Sequence, residues 1–165
     1  MPFSSAAVAN EFLRLAFRDR SGVTPLKMQK LVYFAHGWHL AITGRPLLRE
    51  NIQAWQWGPV IPSLYQQFKE CGSAEITFPA SAFIQGGQLP ANLDSEGTPK
   101  EVATARQIIE RVWEQYGKYT AAELTTLTHG ESAPWAQVPD KEKHGTVIPD
   151  ELIREYFVRQ ATAVS

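Results

Sequence analysis

The chain has 165 residues, 44% of them hydrophobic, with five Trp and eight Phe, enough to bury one substantial core and to favour a single domain over two. Its 16 basic and 17 acidic side chains leave a formal net charge of −1, so nothing global points to nucleic-acid or membrane electrostatics. A single cysteine, Cys71, excludes an intramolecular disulfide framework, and no apolar run approaches the roughly 20 residues of a spanning helix. The balance hides an asymmetry. Residues 1–49 hold seven basic and two acidic groups, and residues 50–165 hold nine and fifteen. This reads either as solvated faces of unequal sign or as a basic face that meets an acidic partner.

In chain order, the N-terminus lacks a basic n-region and is interrupted by Asn10, Glu11 and Arg14. It is not a secretory signal, and cytoplasm is the expected compartment. A first helix starts at a Ser4 or Ser5 cap and runs to about Arg18, with Val8, Phe12 and Leu15 on one face. Thr24-Pro25 opens a second helix that ends at Gly44. That helix is apolar nearly all round, leaving a narrow polar stripe of Gln29, His36, His39 and Thr43, so it belongs in the middle of the fold. Gly37 within it implies close approach of another element, for which the tryptophan corner downstream is the candidate.

Pro46-Leu47-Leu48 and Ile52 to Trp57 read as extended runs joined by Arg49-Glu50-Asn51, a small β-hairpin over 46–57. Gly58-Pro59 ends the strand, Pro62 opens a third helix from Ser63 to Glu70, and Gly72 closes it. Residues 73–97 form a surface excursion with short strands expected at Ile76 to Phe78 and Ala82 to Ile84. Thr98 to Glu101 is a capping box opening a helix through Val102, Ala105, Ile109, Val112 and Tyr116 to Gly117. A second box, Thr120 to Glu123, opens a short helix to Gly130. His129 to Trp135 reads as a turn, and Asp150 to Arg159 as the last helix. The fold class is mainly α (α+β): about six helices around the central apolar helix 24–43.

The chemistry of catalysis is thin. His36 and His39 lie three apart on one helix face, with His129, His144 and Cys71 as distant candidate ligands. No Cys-x-x-Cys or His-Glu-x-x-His spacing supports a metal site, and no cofactor is expected. There is no Gly-x-Ser-x-Gly elbow, and Cys71 sits beside the negative charge of Glu70, a poor setting for a nucleophilic thiolate. The Gly86-Gly87 pair lacks the lysine and following helix of a phosphate loop. Trp55 and Trp57 suit a core or partner-contact role better than a base-stacking platform, because no aromatics interleave with Lys and Arg. Lys27 and Lys30 share a helix face and read either as an anion-binding pair or as two solubilising side chains.

The run Thr24-Pro25-Leu26-Lys27-Met28-Gln29-Lys30-Leu31-Val32-Tyr33-Phe34-Ala35-His36-Gly37-Trp38, then Ala54-Trp55-Gln56-Trp57-Gly58-Pro59-Val60, then Thr128-His129 with Pro134-Trp135, resembles the Panacea domain family. That family is also called the SocA-like antitoxin domain or the phage-associated GepA-like proteins. Met28 stands where Leu is commoner, and Phe34 where Tyr is common. The resemblance covers most of the chain, least of all residues 73–97. It implies an antitoxin of a bacterial or prophage type II toxin–antitoxin system that neutralises a cognate toxin by direct contact, not an enzyme.

The expected partner-binding residues are Lys27, Lys30, Trp55, Trp57, Gly58, Pro59 and Tyr65, beside the basic N-terminal face and the 73–97 loop. Gln29, His36, His39, His129 and Trp135 are read as structural. The alternatives are an adaptor that delivers a toxin to an AAA+ protease, a small metal enzyme using His36, His39 and His129, and an orphan phage regulator. A homo-oligomer is compatible with the sequence, and neither membrane nor direct nucleic-acid binding is expected.

Overall fold

The computed structural model describes residues 2–84 and 87–164. Gln85 and Gly86, within the 73–97 excursion and including half of the glycine pair, lie outside the described residues. Among the described residues there are six α-helices and two small antiparallel sheets: α1 Ser5–Arg18, α2 Pro25–Thr43, α3 Pro62–Phe68, α4 Pro99–Tyr116, α5 Ala121–Thr128 and α6 Asp150–Val164. The mainly α class read from the sequence is the class observed. No helix is long and apolar enough to cross a membrane among the described residues.

Helix α2 is the axis of the fold. Thr24 caps it by accepting from Lys27 N–H, and Gly44 ends it in the left-handed region at φ 75°, donating to the Leu40 carbonyl. It packs against α1, α4, α5 and α6, which explains why Met28, Leu31, Val32, Tyr33 and Ala35 are all buried. The element that closes on Gly37 is α6, not the tryptophan corner. A Cβ at Gly37 would fall 2.1 Å from Cε2 of Phe157.

Gln29, His36 and His39 of the polar stripe of α2 are buried and hold loops down, while Thr43 is half-buried. The Gln29 amide donates to the Ile61 carbonyl at 3.1 Å and accepts from Ile61 N–H at 2.9 Å. His36 accepts from Leu48 N–H at Nδ1 (3.3 Å), so its Nε2–H donates to Asp150 at 2.8 Å. His39 donates through Nδ1 to the Arg45 carbonyl at 2.7 Å. These side chains supply backbone partners to Arg45, Leu48 and Ile61, which flank the β1–β2 ladder.

The hairpin is displaced from its expected place. Strands β1 (Gln53–Trp55) and β2 (Gly58–Val60) pair across the Gln56-Trp57 turn, with Trp55 opposite Gly58. The Pro46–Leu48 run instead makes a parallel bridge to Phe3, whose N–H donates to Leu47 O at 2.7 Å and whose carbonyl accepts from Arg49 N–H at 2.9 Å. Gly58, at φ 128°, begins the returning strand rather than ending the first. A two-residue strand β5 (Thr146–Val147) adds to the other side of β1, giving the order β2-β1-β5.

The second sheet pairs β3 (Ser81–Ile84) with β4 (Gly87–Pro90). No strand forms at 76–78, where Ile76 is buried and its N–H donates to the Val23 carbonyl at 2.9 Å. Both capping boxes are present, Thr98 with Glu101 and Thr120 with Glu123. Helix α6 continues past the expected Arg159 to Val164 because no Gly or Pro follows to stop it.

The basic excess of the N-terminal third is dispersed within the fold, partly paired and partly buried. Arg14 pairs with Glu11 at 2.6 Å and reaches Glu110 at 3.8 Å, Arg18 pairs with Asp19, and Arg49 with Glu96. Glu50 and Glu96 also accept from Ser5 N–H and Ser4 N–H at the start of α1, where the helix dipole favours anions. Lys27 and Lys30 are buried. Of the seven basic groups, Arg20 and Arg45 alone are exposed without an ion pair among the described residues, so no broad basic face remains.

Candidate functional site

The expected site residues separate into three groups. Lys27 lies apart: its Nζ donates to the Gly117 carbonyl at 2.5 Å and stands 5.7 Å from the Trp113 ring. Its charge thus meets the negative end of α4, which offsets the poor placement at the start of its own helix. It is 8% exposed and burial lowers its pKa, so it is not a solubilising side chain. His36 and His39 are occupied by the backbone tethers described above and do not converge with His129. Among the described residues no cluster of three or more His, Cys, Asp or Glu could hold a metal ion.

Lys30, Trp55, Trp57, Gly58, Pro59, Tyr65, His129 and Trp135 form the third group, around the β1–β2 turn. Trp57 stands at the tip, 71% exposed. The turn beneath it is held from behind. Its carbonyl accepts from His129 Nε2 at 3.2 Å and from Lys30 Nζ at 3.4 Å, and Trp135 Nε1 donates to the Trp55 carbonyl at 2.6 Å. His129 and Trp135 stack with centroids 3.9 Å apart and planes 11° from parallel. The Trp55 ring, half-buried, meets the edge of exposed Tyr65 at 5.5 Å. Gln53 and Val147 are register partners on the face that Trp55 shares, and the Gln53 amide oxygen accepts from Trp55 Nε1 at 2.9 Å.

Glycine is required at position 58 twice over, by φ 128° and by space. A Cβ there would lie 2.4 Å from Lys30 Nζ and 3.1 Å from His129 Nε2. Lys30 is completely buried, and desolvation depresses its pKa to about 8. Burial also lowers His129, against the raising effect of its bond to Trp57, and the charges of Lys30 and Lys143 lower it further. Lys143, which the sequence did not single out, lies with Nζ 4.0 Å from the Trp135 ring centre and 2.9 Å from Asp140. No local pattern marks it, because a loop 86 residues downstream of Trp57 brings it there. The assembly offers an exposed aromatic on a supported turn, a combination suited to contact rather than bond-making.

The sequence pattern of the family described as "Antitoxin SocA-like, Panacea domain" matches residues 28–136, a span containing α2 from Met28, the Trp57 corner, His129 and Trp135. The chain belongs to the SocA-like Panacea family. It is 31% identical over 163 residues to Antitoxin SocA of Caulobacter vibrioides (strain NA1000 / CB15N), an alignment covering 96% of this chain and 85% of that protein. No solved structure gives a significant match. Membership in the Panacea family supports an antitoxin role, implies a toxin partner in general and points to a non-enzymatic protein. Lys143 lies beyond the matched Panacea span, so the family pattern would not have found it.

Proposed function

We propose that this protein is the antitoxin of a type II toxin–antitoxin system, acting in the cytoplasm as a single Panacea unit that neutralises its toxin by direct contact through the Trp57 corner. The observation that carries the reading is Trp57 itself: an indole 71% exposed on a turn whose carbonyls are held by Lys30, His129 and Trp135. A turn whose backbone is already held before binding loses little entropy on association, and exposed aromatics of this kind carry a disproportionate share of interface energy. Tyr65 and the outward sheet face with Trp55 extend the contact.

The experiment is co-expression with the protein encoded beside it. Induction of the neighbour alone is expected to arrest growth, and this chain to restore it. Trp57→Ala should abolish protection while shifting stability by no more than about 0.5 kcal/mol, as for other exposed positions. Toxin abundance should stay constant in rescued cells, as occlusion requires and delivery to an AAA+ protease does not. A neighbour that is harmless alone, or lethal beside this chain, refutes the reading.

A further inference from the structure

We infer that the Trp57 corner receives an acidic side chain from its protein partner, with the Lys30 ammonium as the buried counter-charge. The inference rests on the corner being the partner surface and supplies that partner's chemistry. An ammonium carries three donors, yet Lys30 Nζ has one acceptor among the described residues, the Trp57 carbonyl at 3.4 Å. That is longer than the usual N–H···O range of about 2.7–3.2 Å. The other cations of the N-terminal third are treated differently. Arg14, Arg18 and Arg49 have carboxylates, Lys27 has a short bond to a helix C-terminus, and Arg20 and Arg45 are in solvent. Among the described residues Lys27 and Lys30 are both buried without a carboxylate, and of the two Lys30 has only a long bond to a single carbonyl.

Its surroundings supply no counter-charge among the described residues. His129 Nε2, whose pKa is lowered by burial, shares the same carbonyl, and Lys143 stands over the Trp135 ring. The nearby acid among the described residues, Asp140, is fully in solvent and already bonded to Lys143. A methionine at position 30 would fill comparable volume without the desolvation cost of a charge. A lysine there makes physical sense when the counter-ion arrives with the partner. Nζ lies directly against Gly58, where any Cβ would crowd it, and a carboxylate that replaces the long bond to Trp57 O as the turn shifts to admit it would make a charge-assisted one.

The test uses two blocked peptides, acetyl-Leu-Asp-Glu-Leu-Asp-amide and its Asn/Gln counterpart, titrated at matched ionic strength into the full chain. Binding is read from the Lys30 ε-methylene and Trp57 indole NMR resonances. The acidic peptide is expected to bind at least tenfold more tightly and to move both resonances. Lys30→Met should lose that preference while melting at or above the wild-type temperature, and Arg45→Met, a surface cation outside the corner, should keep it. Equal binding of the two peptides by the wild type overturns the inference, as does a preference that survives in Lys30→Met. The wild-type comparison decides by itself if Lys30→Met fails to fold. A chain that protects cells without acidic preference sinks this inference alone, whereas one that binds acid but protects against nothing sinks the proposed function.

Discussion

Replacing Gly37 by Ala sets two opposed effects against each other inside α2. In a helix interior Ala is favoured over Gly by about 1 kcal/mol, so propensity alone makes the variant more stable. The new Cβ, however, would stand 2.1 Å from Cε2, 2.3 Å from Cδ2 and 2.6 Å from Cζ of Phe157. Carbon atoms pack comfortably at roughly 3.5–4.0 Å, so the ring must retreat by about 1.5 Å. It has little room: Phe157 meets Tyr33, Phe34, Trp38 and Tyr156 edge-on, with centroids 5.8, 6.1, 5.2 and 5.2 Å away. Overpacking of this kind costs about 1–3 kcal/mol, and aromatic pairs add about 0.5–1.5 kcal/mol each when disturbed. The net expectation is destabilisation by about 1–2 kcal/mol, with the sign set by crowding. Urea unfolding followed by far-UV circular dichroism gives the midpoint and slope, and the cycle is completed with Phe157→Ala. In that background the clash is absent, and Gly37→Ala should stabilise. A midpoint raised by Gly37→Ala in the otherwise wild-type chain would refute the packing of α6 onto Gly37 described above.

Burial holds the Lys30 amine at about 8 against its ordinary 10.5, which fixes a pH window. Below pH 8 the amine is protonated both folded and unfolded, and the folded state bears the whole cost of the buried charge. Between pH 8 and 10.5 the unfolded chain binds the proton more readily, so stability rises with pH and the cost disappears. Lys30→Met should therefore exceed the wild type by roughly 3 kcal/mol at pH 7, less any packing loss, with the gap closing as pH rises through this window; a gap that ignores pH contradicts the assignment. His36→Ala removes the acceptor of the buried Leu48 N–H and the link to Asp150. It should cost about 2–4 kcal/mol by urea titration, and a loss under 1 kcal/mol would show that the tether is dispensable. Glu50→Ala strips Ser5 N–H and the Ser63 hydroxyl of their acceptor and should cost about 1–2 kcal/mol in the same assay; an unchanged midpoint would refute its capping role.

The sequence by itself determined whatever is decided within a turn or two of chain. The caps at Ser4, Thr24, Thr98 and Thr120 are hydrogen bonds between residues three apart, and the Gly44 stop is a local preference for positive φ. The apolar circumference of α2 announced a central helix because no other placement hides it. The mid-helix glycine announced a close approach, and the Thr24 to Trp38 and Ala54 to Val60 runs with Thr128-His129 and Pro134-Trp135 announced the family. What the sequence left open are contacts closed over long separations. Leu48 had an extended pattern but no means of showing that Phe3, rather than β1, would pair with it. Strand β5, two residues long, carries no period at all. The fate of charge was equally hidden: seven basic groups in one third of the chain looked like a face, yet their partners Glu96 and Glu110 come from far along the chain. Lys27 and Lys30, three apart on one helix, ended at a helix C-terminus and beneath a glycine turn. His36 finds Asp150 across 114 residues. Tertiary structure alone decides such pairings, because burial and the choice of counter-ion depend on which surfaces the collapsed chain brings together, and local propensity is blind to both.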